Sequence, residues 1–136
     1  MKKSMTTIGR QPLIVEMTKD EFWGRVDIKN NLIVDSASTL ETLKKKIKKA
    51  INEIENIEVE NFEVSFDLTS FFEQYSFLNI SDIAKRTNIS SLMMRQYSSG
   101  LKFPSEERVK EIESAIREIG KELSKIKLHK RDREYA

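Results

Sequence analysis

Ile80-Ser81-Asp82-Ile83-Ala84-Lys85-Arg86-Thr87-Asn88-Ile89-Ser90-Ser91-Leu92-Met93-Met94-Arg95-Gln96-Tyr97 has the apolar spacing of two short helices joined by a tight turn. Ile80 to Arg86 reads as the first helix and Ser90 to Tyr97 as the second. Ala84 is small where two such helices would touch. Four residues later, Asn88 stands where the turn calls for a residue that accepts positive φ, usually glycine. Ile83, Ile89, Met94 and Tyr97 fall where the packing of the pair demands apolar side chains, and Ser90 is a good N-cap. Packing leaves Ser90, Ser91, Leu92, Arg95, Gln96 and Ser99 outside. That polar surface suits the major groove of DNA, where Arg pairs with guanine and Gln with adenine. An ordinary helical hairpin is the competing reading.

The next residues sharpen the choice. Gly100 can end the second helix, and Lys102 falls where a backbone phosphate would lie. Ser105 caps a third helix that carries Glu106 and Glu107 in its first turn. The module resembles the repressor family that includes the phage Cro and lambda repressors. In that family Gln96-Tyr97-Ser98-Ser99-Gly100-Leu101-Lys102-Phe103-Pro104-Ser105 would be the end of the recognition helix and the following loop. The resemblance implies base contacts by Ser90, Ser91, Arg95 and Gln96, and phosphate contacts by Lys85, Ser99 and Lys102. Asn88 in place of glycine is the one departure.

On the far side, the helix from Ser105 is expected to reach Leu128, roughly 36 Å if unbroken. Val109, Ile112, Ile116, Ile119, Leu123 and Ile126 recur along it at heptad spacing. Its first half has a core of its own chain to cover. The second half overshoots that core, so Ile116, Ile119, Leu123 and Ile126 are candidates for self-association into a homodimer or higher homo-oligomer.

Toward the N-terminus the period changes. Leu13, Val15 and Met17 share one strand face, and Phe22 and Val26 oppose Trp23 and Arg25. Turns are expected at Thr18-Lys19-Asp20-Glu21 and at Lys29-Asn30-Asn31, where asparagine tolerates the left-handed conformation. Leu32-Ile33-Val34 makes a third short strand, completing an antiparallel meander. Ser38 and Glu41 read as a capping box opening a helix with an apolar stripe of Leu40, Leu43, Ile47, Ile51 and Ile54. Lys44, Lys45, Lys46, Lys48 and Lys49 cover its other faces, as a solvated surface or, alternatively, a nucleic-acid patch. Phe62, Val64 and Phe66 alternate with polar residues as a fourth strand. The order is β-β-β-α-β, followed from Leu68 by helices only: an α+β chain.

Composition narrows the chemistry. The 136 residues contain no cysteine and one histidine, His129 in a charged stretch, so disulfides, thiol nucleophiles and His-based triads are excluded. No metal site or cofactor is expected. No apolar run approaches the roughly 20 residues that span a bilayer, and the N-terminus lacks an apolar signal core, so a cytoplasmic protein without membrane contact is expected. Residues 1–78 carry 11 Lys+Arg and 13 Asp+Glu, whereas residues 79–136 carry 13 and 9. A slightly acidic part joined to a basic part suggests two domains with different partners.

Beside a DNA-binding C-terminal part, the N-terminal unit resembles the HicB antitoxin domain, a trimmed RNase H fold. The resembling residues are Phe22-Trp23-Gly24-Arg25-Val26 and Asp35-Ser36-Ala37-Ser38-Thr39-Leu40-Glu41-Thr42-Leu43, the latter similar to the G-D-T-L-E-E-A stretch of that family. Where the family often has a Leu-Pro-Gly turn after its second strand, this chain has Asp27-Ile28-Lys29-Asn30-Asn31. The resemblance implies a HicB-like α+β domain at 1–67, a helix-turn-helix domain at 68–128 and a charged tail at 129–136. It also implies an antitoxin that blocks a small HicA-like RNA-cleaving toxin and represses its own operon through an inverted-repeat operator. A stand-alone regulator whose N-terminal domain dimerises or binds another partner is the alternative. Glu16, Asp27, Asp35 and Asp67 are the acids at or beside strands, and their spacing singles out no two-metal nuclease cluster, so no enzyme is expected.

Overall fold

The computed structural model describes residues 5–132. Of the tail expected at 129–136, residues 133–136 lie outside the described ones. The elements are β1 (Thr6–Thr18), β2 (Glu21–Ile28), β3 (Asn31–Ala37), α1 (Leu40–Glu55), β4 (Ile57–Phe66), α2 (Leu68–Gln74), α3 (Ile80–Lys85), α4 (Ser91–Ser99) and α5 (Glu106–Ser124). The chain is α+β, with one four-stranded mixed sheet in the order β3-β2-β1-β4.

Two-residue turns build the meander. Lys19 and Asp20, then Lys29 and Asn30, all take positive φ, between 45° and 65°. Paired left-handed residues match the right-handed twist of the strands they join. Asn31 is not part of the second turn; it opens β3 opposite Ile28. After β3, α1 crosses the sheet and returns the chain as β4, parallel to β1.

Strands β1 and β4 are longer than the sequence pattern suggests, because their alternation slips. In β1 the inward residues are Ile8 and then Gln11, Leu13 and Val15; in β4 they are Ile57 and Val59 and then Phe62, Val64 and Phe66. Gly9-Arg10 and Glu60-Asn61 are each two outward residues in succession, and they lie at the same level, since Ile8 pairs with Val59 and Arg10 with Asn61. A strict two-residue period therefore finds only residues 13–17 and 62–66. Pro12 is tolerated where β2 has already diverged, its pairing to β1 starting at Ile14 and Arg25. There the Gln11 amide donates to the Asp27 carbonyl at 3.2 Å, occupying an acceptor that the parting strands leave open.

The N-cap of α1 is Thr39, not Ser38. Its hydroxyl accepts from the Thr42 N–H at 3.1 Å, so the expected Ser38–Glu41 box does not form. Leu40, Leu43, Ile47 and Ile51 are buried against the sheet, whereas Ile54 is 61% exposed because the helix ends one residue later. Gly24 is the point of closest approach: a Cβ there would lie 2.8 Å from Ile47 Cδ1. Lys46 also ties helix to sheet, with its ammonium 3.0 Å from Asp35 Oδ1.

A second apolar cluster gathers Phe72, Ile83, Ala84, Ile89, Met94, Tyr97 and Ile112 from α2 to α5. It is joined to the sheet through Asp67 and Ser70. Asp67 caps α2 by accepting from the Ser70 N–H at 2.9 Å, while the Asp67 N–H and the Ser70 hydroxyl both donate to the Val15 carbonyl. Phe66 adds edge-on contacts to Phe71 and Tyr75 at 6.3 and 6.0 Å. Among the described residues no helix is long and apolar enough to cross a membrane.

Helix α5 is shorter than expected. It stops at Ser124 rather than Leu128, giving about 28 Å. Past Ile119 its residues are all exposed, so no burial supports another turn.

Candidate nucleic-acid interface

Helices α3 and α4 each begin on a side-chain cap. The Asn79 side-chain Oδ1 accepts from the Asp82 N–H at 3.0 Å, and the Ser90 hydroxyl accepts from the Met93 N–H at 3.1 Å. Ile83, Ala84, Ile89, Met94 and Tyr97 are all buried between the two helices and Ile112 of α5.

The turn between the helices is made differently from the sequence expectation. Asn88 does not take positive φ. The Ala84 carbonyl instead accepts from both the N–H and the hydroxyl of Thr87, and the same hydroxyl accepts from the Ile89 N–H. The Asn88 N–H donates to the Glu111 carboxylate of α5 at 2.5 Å. With its polar groups taken up by Thr87 and Glu111, the turn needs no left-handed residue. The small hydroxyl at Thr87 is a readable signal; the reach of Glu111 across 23 residues is not.

The free surface of α4 consists of Leu92, Arg95 and Ser99, exposed, with Ser91 and Gln96 half-buried beside them. These positions recur every three to four residues and so share one side of the helix. Leu92 is 67% exposed and stands in the middle of the polar group. Arg95 is held to α3, its guanidinium donating to the Ser81 hydroxyl at 3.0 Å. Ser90 is exposed but its hydroxyl already serves as the cap. Ser99 donates to the Gln96 carbonyl, and Lys85 lies 3.6 Å from Asp82. Lys102 is exposed beyond Gly100, whose left-handed φ of 80° ends the helix.

Two further residues hold α4 in place. The Thr69 hydroxyl of α2 donates to the Tyr97 carbonyl at 3.1 Å, and Arg108 of α5 donates to the Tyr97 hydroxyl at 2.6 Å. Arg86 points elsewhere. Its guanidinium makes a two-pronged pair with Glu122 at 2.9 and 3.0 Å, which raises its own pKa and lowers that of the carboxylate.

The residues expected to self-associate divide into two pairs. Ile116 and Ile119 are half-buried against the cluster of their own chain, while Leu123 and Ile126 are exposed. Ile126 lies past the end of α5, so it does not continue a helical seam. Beside Leu123, Phe71, Tyr75 and Phe77 line a groove of about 350 Å³, with Phe77 81% exposed.

The four acids noted above are not gathered. Glu16 pairs with Arg25 at 2.8 Å, Asp35 with Lys46, and Asp67 caps α2, while Asp27 lies on the opposite face of β2 from the core. The Asp35 carboxyl loses some stability to burial, but the Ser36 N–H and the Lys46 ammonium outweigh that and hold its pKa below the usual value. Among the described residues no three His, Asp or Glu side chains are grouped to hold a metal ion. Compared with protein-family models, with curated proteins and with solved structures, the chain matches none of them.

Proposed function

We propose that α3 and α4 form a helix-turn-helix that binds duplex DNA with α4 in the major groove. The observation that carries this is the two-sided character of α4. One side is closed by Met94 and Tyr97, while the other presents Ser91, Arg95, Gln96 and Ser99 around Leu92. The tether from Arg95 to Ser81 supports a reading role, because a pre-oriented guanidinium loses less freedom on meeting a base. Leu92 would meet a thymine methyl group. Lys85, Ser99 and Lys102 would contact phosphates at the margins.

In the fuller reading the chain is a non-enzymatic antitoxin and autorepressor of the HicA/HicB type. The N-terminal domain, HicB-like and of trimmed RNase H kind, would block a small HicA-like toxin. The β-β-β-α-β order and the single helix covering one sheet face support that assignment. A stand-alone regulator is favoured by one feature, the Lys29-Asn30 turn in place of the Leu-Pro-Gly turn of HicB proteins. In either case a dimer would present two copies of α4 to an inverted repeat.

Selection of bound sequences from random duplex DNA tests the proposal, with the wild type beside Arg95→Ala and Gln96→Ala. The expected result is a paired, inverted-repeat site whose specificity relaxes at one base pair in each variant. Failure to enrich any sequence overturns the helix-turn-helix reading. A neighbouring reading frame for a short basic protein with one catalytic histidine distinguishes the antitoxin from the stand-alone regulator.

A further inference from the structure

Many basic side chains on the folded elements are answered by acids. Lys85 pairs with Asp82, Arg86 with Glu122, Lys110 with Glu106 and Arg117 with Glu113. On α1, Lys45, Lys48 and Lys49 share their surface with Glu53 and Glu58. The segment that leaves α5 breaks this pattern. Lys125, Lys127, Lys130 and Arg131 stand within seven residues, His129 is among them, and no acid falls between Glu122 and Asp132. Residues 125–131 are all exposed, and from 126 onward they belong to no helix or strand. Lys125, Lys127 and Lys130 make no ion pair among the described residues.

A row of cations that its own chain does not neutralise is matched by a polyanion, and gains affinity by releasing the polyanion's counterions. Where the row begins favours duplex DNA. Glu122, one turn before Lys125, is tied to Arg86 at 2.9 and 3.0 Å, and Arg86 is the C-cap of α3. The segment therefore starts from a helix end fastened to the first helix of the pair that presents α4. Fully extended, its seven residues reach about 23 Å. One strand of duplex DNA presents about seven phosphates over that length. An anionic membrane surface favours a helix with its apolar residues gathered on one face. Here Ile126 and Leu128 lie beyond the end of α5.

We propose that residues 125–131 form an arm that follows the phosphate backbone of duplex DNA beside the site read by α4. This rests on reading α3 and α4 as DNA-binding. It adds to them a segment outside the helix-turn-helix that contributes affinity without sequence preference.

The test compares the full chain with a variant carrying Lys125→Gln, Lys127→Gln and Lys130→Gln together. All three positions are exposed and lie past α5, and an unchanged circular dichroism spectrum verifies the fold. Binding to a duplex selected by wild type is followed by fluorescence anisotropy across a range of salt concentrations. The variant should bind at least about tenfold more weakly at low salt, with a dependence of log affinity on log salt shallower by about 2–3 for each bound chain. It should still select the same sequence. Arg95→Ala should do the reverse, changing the selected sequence while keeping the slope within about one of wild type. Equal slopes for wild type and the triple variant, with selection intact, overturn the arm and spare the helix-turn-helix reading. Duplex binding without sequence preference that the triple variant loses upholds the arm and overturns that reading. Binding to phosphatidylserine vesicles that the triple variant loses, beside an unchanged DNA slope, assigns the segment to a membrane and overturns the proposal. If wild type binds no duplex at all, both fall.

Discussion

The sheet and the helical cluster hold themselves together by different means, and the difference explains what each leaves on its surface. The sheet core is one continuous apolar layer, Leu13, Val15, Val26 and Ile57 against Leu43, Ile47 and Ile51, with α1 seated directly on Gly24. Nothing on its outer face is needed for that packing, so the outer face is free to carry Ile14, Trp23 and Val34. The helical cluster is built from helices of 6 to 9 residues around Met94 and Ile112, with α5 closing one side. Helices that short are not stable alone, and caps, clips and turn hydrogen bonds do much of the holding. Ser81, Thr69, Arg108 and Glu111 are occupied in that way, holding α4 and its turn from the neighbouring helices.

The largest effect should come from the sheet core. Ile47→Ala removes a fully buried side chain from the helix–sheet contact and should cost about 2–5 kcal/mol, measured by urea unfolding followed at Trp23. A smaller loss would show that α1 settles toward the sheet and fills the space. On the helical side, Arg95→Ala should weaken binding to a selected operator by about 1–3 kcal/mol while leaving the unfolding midpoint in place. A shifted midpoint would mean that the bond to Ser81 serves the fold more than recognition. The joint between the two regions should respond less. Asp67→Ala removes the α2 cap that also supports Ser70, for about 0.5–2 kcal/mol, and should separate the Trp23 transition from the helical circular dichroism transition.

The smallest effect is one of pH. The Asp35 pKa is lowered in the folded chain, so its stabilisation is complete above the unfolded carboxylate value and is lost as pH falls through the folded one. Wild type should therefore lose more stability than Asp35→Asn below about pH 4, in acid titrations of the thermal midpoint. Equal slopes would assign the pairing with Lys46 no net role.

How much could be read beforehand follows the same division. The meander, the α1 stripe from Leu40 to Ile51 and the buried set Ile83, Ile89, Met94 and Tyr97 were legible, because each repeats with the period of its own element. The first half of β1 and the start of β4 were not. Their alternation breaks at Gly9-Arg10 and Glu60-Asn61, and only their mutual pairing makes the two breaks consistent. Caps could be assigned to within a residue, and the choice of Thr39 over Ser38 depended on backbone angles no pattern encodes. At the interface, the surface positions on α4 followed from periodicity. What orients them did not, since Ser81, Thr69, Arg108 and Glu111 reach α4 or its turn from other helices. The end of α5 was overestimated because a heptad of apolar residues shows what could be buried, and past Ile119 none of it is buried among the described residues.

The matched slip in β1 and β4 also constrains how this chain can change length. A residue gained or lost in one strand alone would put the two out of step, turning inward side chains outward at one end of the sheet. A simultaneous change at Gly9 and at Glu60 would keep them in phase. The two segments, some fifty residues apart, can therefore accept insertions and deletions only as a pair, and in descendants of this sequence their lengths should be inherited together.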